Sequence, residues 1–136
     1  MFVAALICMF AIMNGEDIQN LRQDYQAATL SETEINADPI IQFDRWFNQA
    51  LAAQVPEPNA MTLATATADG RPSARIVLLK GYKADGFSFY TNYLSRKGKE
   101  IARNPLGALV FFWKEMERQV RIEGTIEKLD KAQSEK

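Results

Sequence analysis

From residue 60 onward the sequence runs through five apolar or β-branched stretches joined by turns or, once, by a short helix, and those short links constrain the fold more than any other feature. A parallel strand order needs a crossover of a dozen or more residues at each step. Here Ala60 to Thr67 leads into Ala68-Asp69-Gly70-Arg71, Ala74 to Tyr82 into Lys83-Ala84-Asp85-Gly86, and Leu106 to Trp113 into Lys114-Glu115-Met116-Glu117. Each link holds turn residues or a polar break, so the flanking strands must fold back antiparallel. Phe87 to Thr91 completes a meander with the first two strands, and Arg118 to Leu129 makes the fifth. Before the fourth strand, Ser95 caps a short helix that runs through Ala102 and stops at Asn104-Pro105. The expected fold is mainly β with flanking helices, a small antiparallel barrel.

Upstream of residue 60 the periodicity is helical. Ile18, Leu21 and Tyr25 recur at helical spacing between Glu16 and Ala28. Asp38-Pro39 then supplies an N-cap and a proline at the first helical position. Ile40, Phe43, Phe47 and Leu51, with Trp46 alongside, form one apolar face that Pro56-Glu57-Pro58 ends. At the other terminus, Asp130 to Lys136 resembles the capped start of another helix. Met1 to Ile12 is uncharged and apolar, shorter than the about 20 residues of a membrane span, and without the basic region and cleavage site of a secretory signal. Met13-Asn14-Gly15 reads as a second possible start. The expected division is therefore an apolar extension over 1–12 outside the fold, with a membrane anchor or a docked apolar segment as the alternatives, an N-terminal helix and link over 13–37, and one barrel domain over 38–136.

Composition limits the chemistry. With 16 Lys plus Arg against 17 Asp plus Glu, the net charge is -1, so no broad field draws nucleic acid and any basic site is local. There is no histidine and a single cysteine, Cys8. That excludes disulfides, Cys/His metal sites and any Ser-His or Cys-His nucleophile within this chain. No metal and no catalytic side chain are expected, and redox chemistry would have to come from a cofactor.

The local basic sites stand at strand ends and at a helix N-terminus. Ser95-Arg96-Lys97 puts two cations on the positive end of a short helix, a physical anion site that is otherwise an ordinary solvated turn. Arg75 opens an apolar strand and Lys80 closes it. Five residues apart, they lie on opposite faces of an ideal strand, and serve one site only if the strand twists or bends near Lys80. Otherwise they are charges flanking a buried strand. Gln119 and Arg121 share one face of the fifth strand, while Val120 and Ile122 share the core face. The amide of Gln119 can both donate to and accept from a heterocycle edge, and Tyr90 and Thr91 offer hydroxyls. Phe111, Phe112 and Trp113 are read as core.

In this order, Asn20-Leu21-Arg22-Gln23-Asp24-Tyr25, Asp38-Pro39, Arg75-Ile76-Val77-Leu78-Leu79-Lys80, Phe89-Tyr90-Thr91-Asn92, Ser95-Arg96-Lys97 and Glu117-Arg118-Gln119-Val120 resemble the pyridoxine (pyridoxamine) 5′-phosphate oxidase family, FMN enzymes with a split β-barrel fold. The resemblance runs from Ile18 to the end of the chain. It implies that Arg75, Ile76, Val77, Leu78, Leu79, Lys80, Tyr90, Thr91, Arg96, Lys97 and Gln119 hold FMN, through its phosphate and ring edge. It implies that Lys80 also reaches the substrate phosphate. Arg22, Gln23, Asp24 and Tyr25 would belong to a segment closing over the substrate, and the position of Gln23 is commonly basic in the family. The implied reaction oxidises pyridoxamine or pyridoxine 5′-phosphate to pyridoxal 5′-phosphate, with dioxygen as acceptor and hydrogen peroxide as product. Family members are homodimers with FMN in the interface, and the resemblance implies a cytoplasmic protein without nucleic-acid or membrane partners. It also implies a barrel cut short, because further family contacts come from a C-terminal region that would begin where this sequence ends. The alternative is a split-barrel flavin-binding module without turnover.

Overall fold

The carboxylate of Asp38 accepts hydrogen bonds from the backbone N–H groups of Ile40 (2.8 Å) and Ile41 (3.4 Å), and Pro39 takes the first helical position, starting helix α1 at Pro39–Ala52. The computed structural model describes residues 34–129. The apolar extension, the helix expected over Glu16 to Ala28 with its segment Arg22 to Tyr25, and the helical start at Asp130 to Lys136 lie outside the described residues. Helix α1 ends before Pro56 is reached. Gln54 turns left-handed at φ 54°, its N–H bonds Leu51 C=O, and Val55 N–H bonds Ala50 C=O, each at 3.0 Å. This is a Schellman closure with glutamine where glycine is usual, and the buried Val55 supplies its apolar contact.

Five strands follow: β1 Ala60–Ala66, β2 Pro72–Lys83, β3 Gly86–Phe89, β4 Leu106–Trp113 and β5 Arg118–Thr125. Helix α2, Arg96–Arg103, joins β3 to β4, and a 3₁₀ turn over Lys114–Met116 joins β4 to β5. The spatial order is β3-β2-β1-β4-β5, with every neighbouring pair antiparallel. The sheet curls into half of a split barrel with α1 on its inner face. Gly70, at φ +89°, makes the β1–β2 turn, a conformation that side-chain-bearing residues rarely adopt.

Two strands are shorter than the sequence suggests. β5 stops at Thr125 rather than Leu129 because its partner at that point, Leu106, is the first residue of β4, and one further bond, from Ile126 N–H to Pro105 C=O at 2.7 Å, ends the ladder. β3 stops at Phe89, opposite Leu79, and the chain then turns toward α2.

Phe43 is the centre of the core. Its ring lies 4.9 Å from Phe87, 5.0 Å from Tyr82, 5.1 Å from Phe111 and 6.0 Å from Trp113, in tilted and edge-on contacts. Met61, Leu63, Val77, Leu79 and Leu109 complete the inner face, and the Trp113 indole N–H donates to Pro58 C=O at 2.9 Å. Two expected core residues point elsewhere. Leu51 is 50% exposed and Ala50, fully buried, takes its place: the contact stripe runs through 43, 47 and 50, so Leu51 is rotated off it. Phe112 is 55% exposed because strand alternation puts Phe111 and Trp113 inside and the residue between them outside.

Candidate functional site

The run Arg75 to Lys80 divides between the two faces of β2. Arg75, Val77 and Leu79 point inward, and Ile76, Leu78 and Lys80 point outward. Leu79 pairs with Phe89 and Gly81 with Ser88, which leaves Lys80 as the extra residue of a β-bulge. The bulge resets the phase, so Leu79 and Tyr82, three residues apart, both pack on the core while Lys80 stays outside. It does not bring Lys80 to the face of Arg75.

On the inner face, α2 delivers a carboxylate to Arg75. Ser95 caps α2, accepting from Gly98 N–H (3.3 Å) and donating to Asn92 C=O (2.6 Å). Gly98 lets the preceding loop lie against the helix: a Cβ there would stand 2.4 Å from Tyr93 O and 2.7 Å from Asn92 O. Two residues on, Glu100 is 5% exposed yet carries a full complement of partners. Its Oε2 accepts from Thr65 Oγ1 and Ser73 Oγ, each at 2.6 Å, and lies 3.5 Å from Arg75 Nη2. Its Oε1 accepts from Arg96 Nε at 2.8 Å. Arg75 also donates to Thr65 Oγ1 (2.7 Å), to Leu63 C=O (3.2 Å) and to Ser73 Oγ. Hydrogen bonds from Ser73, Thr65 and Arg96, with the Arg96 charge, outweigh desolvation and hold the Glu100 carboxyl at about 2, well below the usual carboxylate range.

Arg96 stands at the mouth of this cluster, and Lys97 follows it in the first turn of α2. Arg96 is 65% exposed and uses only Nε internally; among the described residues nothing pairs with its Nη nitrogens or with Lys97 Nζ. Thr91 Oγ1 is a buried hydroxyl oxygen with no hydrogen-bond partner among the described residues. An orphan of this kind is costly unless a ligand or water completes it.

The outward set lies on the opposite face. Lys80 Nζ sits 5.6 Å from the centre of the exposed Tyr90 ring. Ile76, Thr62, Val110 and Arg121 form one outward row across β2, β1, β4 and β5. Leu78 and Gln119 stand one row along on that face, so three strand spacings, about 14 Å, separate them. The structure therefore brings Arg75 and Arg96 together on Glu100, with Lys97 beside Arg96 on α2, and leaves Ile76, Leu78, Lys80, Tyr90 and Gln119 on the other side.

Two clefts open beside α1. One, lined by Ile35, Pro39, Phe43, Trp46 and Val120, is apolar, and the other, lined by Arg45, Trp46, Gln49, Arg118 and Gln119, is mixed. Of the expected ligand residues only Gln119 touches either. In the mixed cleft Arg118 stacks 5.0 Å from the Trp46 ring, donates to Gln49 Oε1, and burial lowers its pKa. No group of three or more His, Cys, Asp or Glu among the described residues is placed to hold a metal. No helix among them is long and apolar enough to cross a membrane.

Thr65, Ser73 and Glu100 were not among the expected site residues. Thr65 and Ser73 are cross-strand partners in the β1–β2 hairpin, and Glu100 stands four residues after Arg96 on α2. That spacing alone signals an ion pair. The burial of Glu100 and its link to Arg75 depend on how α2 docks.

A family model described as pyridoxamine 5′-phosphate oxidase matches residues 47–136. The pyridoxine/pyridoxamine 5′-phosphate oxidase of Acaryochloris marina is 60% identical over 117 residues, covering 86% of this chain and 53% of the relative. The protein of the same name from Nostoc sp. is 60% identical over 118 residues, covering 87% and 55%. The chain thus spans about half the length of the curated relatives it matches. Among solved structures, PhzG from Burkholderia lata, in complex with tetrahydrophenazine-1-carboxylic acid, superposes with a TM-score of 0.73 at 33% identity, covering 77% of this chain and 53% of that one. A pyridoxamine 5′-phosphate oxidase-related, FMN-binding protein from Nostoc punctiforme shares the fold at a TM-score of 0.52 and 22% identity, covering 79% and 54%. From the family match and the sheet that carries its motifs, the chain belongs to the pyridoxamine 5′-phosphate oxidase family.

Proposed function

We propose that this chain is the FMN-holding part of an oxidase that converts pyridoxamine or pyridoxine 5′-phosphate to pyridoxal 5′-phosphate. The observation that carries the reading is the unspent polar capacity around α2: the Nη nitrogens of Arg96, the ammonium of Lys97 and the orphaned hydroxyl of Thr91. Such a set fits a phosphate monoester, which offers several acceptor oxygens and about −1.5 to −2 charge near pH 7. FMN brings that phosphate, and when bound supplies the two-electron acceptor that a chain without histidine or a reactive cysteine pair lacks.

The chain's own residues then bind and orient. Arg96 and Lys97 hold the cofactor phosphate, Thr91 donates its hydroxyl, and Arg75 lends positive charge from behind. Gln119, Tyr90 and the outward edge of β2 from Ile76 to Leu78 lie on the other face of the sheet and face the ring of the cofactor that a second copy holds across the homodimer interface, with Val77 and Leu79 fixing that strand in the core. Lys80 holds the substrate phosphate, and Arg22, Gln23, Asp24 and Tyr25 cover the substrate. Pyridoxine phosphate loses two electrons and two protons at C4′, and dioxygen leaves as hydrogen peroxide; the pyridoxamine ester consumes one water and releases ammonia. The working form is a cytoplasmic homodimer with the cofactor in its interface.

A second reading, a flavin-holding barrel with a different substrate or none, is favoured by the PhzG likeness, whose bound ligand carries no phosphate. Titrating the chain with FMN and assaying peroxide with pyridoxamine 5′-phosphate separates these. Binding with peroxide supports the oxidase, binding without it supports the second reading, and no flavin binding overturns both.

A further inference from the structure

We propose that Glu100 is the positioning residue of the phosphate site, setting the angle at which Arg96 meets the ligand and holding Arg75 behind it as a buried cation. The inference rests on the FMN reading above and deepens it. Each terminal nitrogen of Arg75 donates to a hydroxyl, Nη1 to Thr65 and Nη2 to Ser73, and both hydroxyls donate to the same oxygen, Glu100 Oε2. A hydroxyl has one proton to give, so both relays run in one direction, from guanidinium to carboxylate. Leu63 C=O occupies Nη1 as well, and Glu100 Oε2 faces Nη2. Arg75 therefore has its terminal N–H groups committed inside the protein.

Arg96 is held differently. Its Nε is fixed on Glu100 Oε1, one bond from the guanidinium carbon, and both Nη nitrogens are left outward. Pinning Nε fixes the plane and direction of the fork, so less side-chain freedom is lost when an anion binds. The charges also match. Three cations, Arg75, Arg96 and Lys97, less one carboxylate leave two positive charges, close to the about −1.5 to −2 of a phosphate monoester.

The role predicts a sign opposite to simple electrostatics. A carboxylate near a phosphate repels it, so a bystander Glu100 would weaken FMN binding, and neutralising it would tighten the complex. A positioning Glu100 gives the reverse. The experiment titrates the full chain and its Glu100→Gln, Glu100→Ala and Ser73→Ala variants with FMN and with riboflavin, which shares the ring and lacks the phosphate, and checks folding by circular dichroism. The expected result is an FMN Kd about tenfold higher in Glu100→Ala, a smaller rise in Glu100→Gln and Ser73→Ala, and riboflavin affinity unchanged. FMN affinity that is unchanged or higher in the folded variants overturns the role, and so does an equal loss for FMN and riboflavin. Should the Glu100 variants not fold, Ser73→Ala decides on the same criterion. A parent chain that binds no FMN overturns the functional reading itself, whereas a parent that binds, with variants that respond alike to both flavins, overturns only the role of Glu100.

Discussion

The Tyr82 hydroxyl donates a 2.7 Å hydrogen bond to Asp44 Oδ1, tying the sheet to the first turns of α1 beside the ring of Phe43. Desolvation, then the hydrogen bond to Asp44 and its charge, raise the Tyr82 pKa from 10.0 to about 12. The neutral phenol is thus favoured by folding. Its contribution is complete below pH 10 and is lost as pH rises through about 12. Tyr82→Phe should lower stability by about 1 kcal/mol at neutral pH and remove this part of the alkaline decline, both read from urea midpoints.

Phe43 touches four other aromatic rings of the sheet and sits at 3% exposure, so its loss opens a cavity that neighbours on three strands cannot all close. Phe43→Ala should cost about 3–5 kcal/mol by denaturant unfolding. A loss under 1 kcal/mol would show that α1 is not held through this ring.

Those two residues also mark what was legible in sequence. Phe43 lies on a helical stripe started by Asp38-Pro39, and local signals of that kind located α1, α2, the turns and the strands paired across them, because caps and turns are fixed by neighbouring residues, whereas the pairing of β1 with β4 is non-local and came only with the structure. The outward face of Phe112 was hidden because Leu106 to Trp113 is apolar throughout, and an unbroken apolar run carries no alternation. The bulge at Lys80 has no signature in its own residues and follows from pairing with β3. Glu100 was hidden for a similar reason: its i+4 relation to Arg96 is local, but its burial over Thr65 and Ser73 requires α2 to dock on the β1–β2 hairpin.

Gly98 should not tolerate a side chain. A Cβ there would stand 2.4 Å from Tyr93 O, and the obstacle is backbone, so the loop must move. Gly98→Ala should destabilise the fold by about 1–3 kcal/mol and disturb the Ser95 cap with it. A thermal melt unchanged from the parent would mean that the loop shifts freely.

Arg96→Ala and Lys97→Ala should each weaken FMN binding by about 1–3 kcal/mol, the range for a lost charge-assisted phosphate contact. Lys97 has no partner among the described residues, so Lys97→Ala should leave the melting temperature near that of the parent, whereas Arg96→Ala also strips the buried Glu100 Oε1 of its partner and should lower it. Flavin titration of both variants checks this, and unchanged affinity in both would remove them from the site.

Acid should act through Glu100. Its carboxyl titrates at about 2 in the folded chain against 4.5 for the ordinary group, because the folded state stabilises the anion. A depressed carboxylate pKa contributes stability that is complete above pH 4.5 and is lost as pH falls through about 2. Below that range the protonated acid no longer serves as the counter-charge that Arg75 and Arg96 share. In the parent, the urea midpoint should therefore fall between pH 4.5 and about 2 more steeply than in Glu100→Gln, which cannot ionise. Parallel acid profiles for the two would show that other carboxylates carry the decline.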